Sequence, residues 1–313
     1  MAGTVFVATW SDGLVAIAGE RRHHELAGQP VNTVAPDGLG GVLAIVSGHS
    51  LRRRASDGEW LTLATSELPL ACCAAAGDAI YVGTDDARVL RVRANGSVEQ
   101  LRGFEAVAGR DSWYAGSAVI DGQLVGPPLG IRSMAATADG RVLLANVHVG
   151  GIPRSADSGA TWQPTIDVND DVHDVCAHHT DPDLVIAAAA VGLCISHDGG
   201  TTWKVEQDGL HASYCSAVAF LGDDVLVAAS SDHFATQGAV YRRPIGDRRP
   251  FMPVGGGLPR WIDGIADTRG IATRGSAAAV VDRAGNLYVS TDAGNSWLRR
   301  AEGLPQSSGV VIA

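Results

Sequence analysis

Histidine is the residue type whose placement first points to chemistry. Of ten histidines in 313 residues, five stand in short polar segments between apolar runs: His49 in SGHS, His148 in NVHVGG, His173 in DDVHDV, His211 in GLHASY and His233 in SSDHF. Neutral imidazole ligates borderline-soft metal ions. Convergence of these side chains would hold one transition-metal ion, Zn, Fe, Cu, Ni or Mn, with a coordination position left open. Asp171, Asp174, Asp232 and Asp263 would add ligands or orient the imidazoles. Such an ion acts as a Lewis acid or activates a bound water, the chemistry of a metal-assisted hydrolase or lyase. No HxH or HExxH spacing joins the set locally, so convergence rests on the fold; the competing reading is five unrelated loop histidines.

Carboxylates and aromatics offer a second chemistry. Asp171 with Asp263, or Asp85 with Asp232, would make an acid–base pair for glycoside cleavage, with Trp10, Trp113 and Trp261 stacking on sugar rings. The same aspartates are also ordinary turn residues. Asp174, Asp263 and Tyr114 are the candidate catalytic groups; Trp10, Trp113, Arg132 and Trp261 are the candidate substrate contacts. A nucleophilic triad of Ser216 or Cys215 with His211 and Asp263 lacks a GxSxG elbow. The glycine run at 255–257 lacks the strand-loop-helix setting of a phosphate cradle, so no nucleotide cofactor is expected.

Composition narrows the partners. The net charge of −10 carries no basic stripe, which argues against nucleic acid. No run of 18 apolar residues exists, so no membrane span is expected, and the first ten residues lack a basic segment followed by an apolar one. Five cysteines, an odd number without CxxC spacing, fit a reduced cytoplasmic setting and small buried side chains. Lys204 is the only lysine, so an arginine here is weak evidence of anion binding by its type alone. A small-molecule ligand remains the leading partner, with a protein partner as the alternative.

The elements that must position these residues repeat. SADSGATW at 155–162, SHDGGTTW at 196–203 and STDAGNSW at 290–297 share the pattern Ser-x-Asp-x-Gly-x-(Thr/Ser)-Trp. An apolar strand runs into a turn whose aspartate accepts backbone N–H bonds, a glycine supplies positive φ, and the tryptophan opens the next strand. Asp157, Asp198 and Asp292 are therefore hairpin staples without chemistry. The octets resemble the Asp-box, or BNR, repeat of sialidase-like, sortilin-like and photosystem-assembly-factor-like β-propellers. The resemblance implies a propeller fold. It does not extend to a sialidase: those have six blades, an N-terminal Arg-Ile-Pro motif and an arginine triad, whereas Arg132, Arg260 and Arg274 occur here in no such context.

Trp162 and Trp203 are 41 residues apart, and Trp203 and Trp297 are 94 apart, two units with one enlarged. Degenerate units at 31–68 and 70–104 precede those at 131–166, 172–210, 214–258 and 261–304, making six. The segment 5–26 supplies three strands of a seventh, and GVVIA at 309–313 supplies its missing strand. The expectation is an all-β, single-domain, seven-bladed propeller of four-stranded antiparallel blades over residues 1–313, closed by its own ends. An insertion at about 105–130, with Trp113, Tyr114 and a Gly-Pro-Pro turn, reads as a lid over the axial mouth or a cover on a neighbouring blade. Two functions stay open. One is a metal-assisted site at the axial mouth; the other, implied by the assembly-factor resemblance, is a non-catalytic propeller docking a protein through Trp10, Trp113 or Trp261.

Overall fold

A computed structural model describes residues 3–55, 57–114, 118–120, 123–125 and 129–313. It is an all-β, seven-bladed propeller. Blades two to seven begin with inner strands Val31–Pro36, Leu70–Ala76, Ile131–Ala136, Val172–Ala177, Tyr214–Leu221 and Ile271–Arg274. Each inner strand starts an antiparallel meander running outward. Blade one is built from Val5–Thr9, Leu14–Ala18 and Arg21–Glu25, and its inner strand is Ser307–Ile312, from the other end of the chain. The two ends pair with Val5 opposite Ile312, Phe6 opposite Val311 and Val7 opposite Val310. In blade four the fourth position is filled by one bridge, Arg154 with Gln163, beside the short Arg154–Ser155 strand.

The blades are buried on both faces, which explains the unbroken apolar runs. In Val42–Val46, Val42, Ala44 and Val46 pack toward blade one, and Leu43 and Ile45 toward blade three. Alternation of side chains across a strand thus serves two interfaces at once. Buried apolar side chains form seven clusters, one for each blade boundary, including the blade seven to blade one boundary around Val7, Val281 and Val310. An open arc of seven blades would have one boundary fewer. All five cysteines are free; four are fully buried and Cys176 is partly so.

The octet turns behave as their chemistry dictates. Asp157 Oδ1 accepts from the Thr161 N–H at 2.9 Å and Asp157 Oδ2 from the Thr161 hydroxyl at 2.6 Å, while Gly159 N–H donates to Ser155 Oγ at 2.8 Å. Asp198 and Asp292 repeat this pattern. Gly159, Gly200 and Gly294 sit at φ of 87°, 81° and 77°. With both carboxylate oxygens engaged in these turns, the aspartates act as staples.

One boundary differs from expectation. Trp261 does not open the seventh inner strand: Ile262–Asp263 pairs with Gln237–Gly238 as an extra strand on blade six, and blade seven starts at Ile271. The apolar Trp-Ile pair resembles a strand start because it is one, attached to the neighbouring sheet. In the insertion, two short 3-10 turns, Arg102–Ala106 and Arg110–Ser112, precede a hairpin of Ala118–Ile120 with Gln123–Val125. The Gly-Pro-Pro turn at 126–128 lies outside the described residues. Among the described residues, no helix is long and apolar enough to cross a membrane.

Closing the ring by strand pairing makes its buried edge sensitive to charge. Val310→Asp would bury a carboxylate in the blade seven to blade one interface, where Val310 is now buried. The expected cost is about 3 kcal/mol or more. Thermal unfolding should shift down by several degrees, whereas the same substitution at exposed Val98 should leave it within about 2 °C.

Candidate functional site at the axial mouth

The inner strands carry a shared irregularity at the end nearest the mouth. Six of them hold one extra residue there, so the ladder shifts register around Asn32, Ala71, Arg132, His173, Ser216 and Ser308. Bulges re-aim a side chain and locally end pairing. Three of these residues stitch their blade to the next: His173 Nδ1 donates to Cys215 O at 2.6 Å, Ser216 Oγ to Ala266 O at 2.6 Å, and Ser308 Oγ to Val31 O. Arg132 is long enough to do something else. It reaches from blade four to the start of blade seven, where Nη2 donates to Thr268 Oγ1 at 3.2 Å. Thr268 in turn donates to His173 O at 3.1 Å.

Around this strut three groups meet: His148 from the loop between the second and third strands of blade four, and Asp171 and His173 leading into blade five. Their ligand atoms lie within 4.8 Å of one another. His148 Nε2 is 3.2 Å from Asp171 Oδ1, and His173 Nε2 is 3.5 Å from Asp171 Oδ2. Two ligand atoms bound at about 2.0–2.1 Å in tetrahedral geometry stand about 3.4 Å apart. The cluster therefore has the dimensions of a metal site. The Nδ1 bond to Cys215 O fixes the His173 tautomer and leaves Nε2 as a lone pair. That atom and Asp171 Oδ1 are buried with no hydrogen-bond partner.

Charge balance modifies this picture. Arg132 Nη1 donates to His148 Nε2 at 3.0 Å, so that lone pair already has a donor and a cation beside it. Burial, then the Arg132 charge, pushes the His148 imidazole down to about 3, so it is neutral at physiological pH. Burial opposes ionisation of Asp171; protonated His173 and His148 would hold its carboxyl below the usual range together with Arg132, the permanent cation of the group. Asp267 is likewise depressed against burial, by Arg132, the Thr268 N–H, His233 and Arg283. The His173 ring packs 4.4 Å from that of Tyr214, whose phenol is raised by burial.

The other expected site residues are distributed as follows. His233 borders the cluster; its carbonyl accepts from Arg283 Nη1 at 2.5 Å, and burial lowers its pKa. His49 and His211 do not join, correcting the expectation of five converging imidazoles. His49 is exposed and paired with Ser66 O at 3.0 Å, and His211 is held by the Tyr241 hydroxyl at 2.8 Å beside Trp261. Asp263 is exposed and bonded to Asn286 at 3.1 Å, outside the cluster. Asp174 is buried below the mouth, accepting the Arg269 N–H at 3.2 Å, and burial pushes it up to about 6. Trp10 is 48% exposed at the cavity rim. Trp113 is buried against Phe104, which removes it as a stacking surface or docking anchor. It packs instead on Gly150, where a Cβ would come within 2.9 Å of the indole, and so supports the loop that carries His148. Tyr114 N–H bonds Val149 O at 3.2 Å beside the same loop, its ring exposed.

Sequence reasoning missed Tyr214, Asp267, Thr268 and Arg283. The available signal was positional, namely the non-repeating polar residues at the mouth ends of inner strands and, for Arg283, in the loop between the second and third strands of blade seven. Misplacing the start of blade seven hid two of the four.

No protein-family model matches the chain, and comparison with curated proteins finds no match. Solved structures do match in fold. An ancestral GH74 enzyme superposes with a TM-score of 0.61 at 16% identity, over 96% of this chain and 40% of its own. The GH74 enzyme of Niastella koreensis gives 0.56 at 16% identity, over 99% and 39%. The computationally designed Ika8 protein gives 0.58 at 12% identity, over 98% and 86%. The chain thus spans about two fifths of the length of either GH74 chain.

A buried neutral imidazole ties stability to pH. The folded pKa of His148 lies below the ordinary 6.5, so the unfolded chain binds the proton first as pH falls. Its contribution is intact above pH 6.5 and is lost progressively between 6.5 and about 3. In metal-stripped protein, thermal unfolding of the wild type should fall more steeply across that window than that of His148→Gln; parallel curves would contradict the assignment.

Proposed function

We propose that the axial mouth binds a small molecule and acts on it with one divalent transition-metal ion held by His148, Asp171 and His173. The observation that carries the reading is the convergence of three ligand atoms in which Asp171 Oδ1 and His173 Nε2 are buried without partners. Two imidazoles and a carboxylate suit Zn, Fe or Mn and leave positions open for water or substrate. A metal-activated water would serve as nucleophile in hydrolysis or as base in elimination. For His148 to coordinate, Arg132 must give up Nε2 and keep its Thr268 contact. The three octet turns support grouping the chain with Asp-box propellers. Fold likeness to GH74 enzymes supplies no reaction, because propellers carry unrelated chemistries.

One observation favours a second reading: the Arg132 bond to His148 Nε2 suits a metal-free site in which Asp171 and His173 exchange protons and Arg132 stabilises an oxyanion.

Metal analysis of untagged protein, refolded or expressed with Zn, Mn, Fe, Ni and Cu supplied in turn, separates the two. The expected result is about one ion per chain, falling at least tenfold in His148→Ala and His173→Ala while His49→Ala and His211→Ala retain it. Metal-free wild type under every condition overturns the metal reading.

A further inference from the structure

Beside the histidine cluster, the axial mouth opens into a cavity of about 320 Å³. This is the lower end of the range for small-molecule sites. The arginines here are committed. Arg132 is 3.9 Å from Asp267 and bonded to Thr268 and His148; Arg283 is 3.5 Å from Asp267 and donates to the His233 carbonyl. Arg269 turns its charge toward Asp174 and Cys72. Asp85 is different. It stands in the loop between Ala79–Thr84 and Val89–Arg93 of blade three and lines the cavity. Its neighbour Asp86 turns away to Arg88 at 3.2 Å and the Thr84 hydroxyl at 2.5 Å. Among the described residues the Asp85 carboxylate has neither an ion pair nor a hydrogen bond, yet neither oxygen is sealed from solvent. Burial and the Asp86 charge raise its carboxyl, with no cation opposing them.

The charges define the missing partner. With Arg132, Arg269 and Arg283 set against Asp171, Asp174, Asp267 and Asp85, the mouth carries one carboxylate in excess, and Asp85 is the one left unpaired. A partly buried carboxylate without a counter-charge costs free energy that a bound cation would recover. A metal ion is disfavoured at this point, because the three-residue ligand group found among the described residues is His148, Asp171 and His173, without Asp85. An organic cation needs no such cage. Trp10 lines the same cavity and is 48% exposed, and an indole face attracts a cation. Two free carboxylate oxygens accept N–H donors, which favours a primary ammonium group over a quaternary one.

We infer that the axial cavity takes a small organic amine, its protonated amino group held by Asp85 and flanked by the Trp10 indole. This rests on the reading of the axial mouth as the ligand site. Asp85 packs on Gly130, where a Cβ would come within 2.9 Å of the Asp85 Cα, and the Gly130 carbonyl accepts the His148 N–H at 3.4 Å. The wall that carries the carboxylate therefore leads to the histidine cluster, so a ligand anchored by its amine extends toward the groups that would act on it.

The test is calorimetric titration and thermal shift on EDTA-treated full-length protein at neutral pH and fixed ionic strength. The probes are methylamine, ethanolamine, putrescine and glucosamine, each set against its hydroxyl analogue, with tetramethylammonium, acetate and calcium as comparisons. At least one amine should bind and raise the melting temperature, while its hydroxyl analogue should not. Asp85→Asn should weaken that binding about tenfold or more, Asp85→Glu less, and Trp10→Ala about threefold. Without ligand, the melting temperature of Asp85→Asn should equal or exceed that of the wild type, since the substitution removes an unpaired charge; Asp263→Asn, outside the cavity, should bind as the wild type. No amine binding, equal response to an amine and its hydroxyl analogue, tetramethylammonium bound as tightly as methylamine, calcium binding alone, or an Asp85→Asn variant that binds as the wild type would each overturn the inference. Metal content is measured on the same samples before EDTA. Amine binding by a protein that takes up no metal supports this inference and sinks the metal reading alone; metal uptake without amine binding does the reverse.

Discussion

The pairing of Ser307–Ile312 with Val5–Thr9 is the contact on which everything else depends. Every blade is apolar on both faces, so each needs two neighbours, and a linear array would leave the outer faces of its first and last blades in water. Drawing one strand from each end of the chain into a single blade removes those faces and the free sheet edges together. The axial mouth exists only because this ring closes. Residues 95 and more positions apart, such as His173 and Thr268, meet there for no other reason.

Closure also explains why the mouth is polar. Strands that converge on an axis crowd, and the one-residue bulges around Asn32, Arg132, His173, Ser216 and Ser308 relieve pairing just where the blades come closest. A hydroxyl or imidazole at such a position stitches to the next blade. Where the residue is arginine, the same position projects a charge across the opening, and the Arg132 strut brings blade seven into contact with the histidine cluster. Scaffold and candidate site are therefore made from the same irregularity: the residues that tie the ring are neighbours of those that could bind a ligand.

Arg132 and the histidine pair share one small space, and each limits the other. The Arg132 charge keeps His148 neutral, as metal ligation requires, yet its bond to Nε2 occupies the atom a metal would use.

Much of the architecture was legible in the sequence because it is local. Octet spacing, the turn chemistry of Asp157, Asp198 and Asp292, and the apolar strands at the two ends are properties of short segments, and from them the blade count and the closure follow. What the tertiary structure decided is which polar side chains share the mouth. His49 and His211 stand on comparable loops but turn to Ser66 and Tyr241, Trp113 serves as a core residue under the His148 loop, and Ile262–Asp263 pairs with the sheet of blade six. A residue's type states what it can bind. Only the direction that a bulge, a turn or a neighbouring ring imposes on its side chain states what it meets.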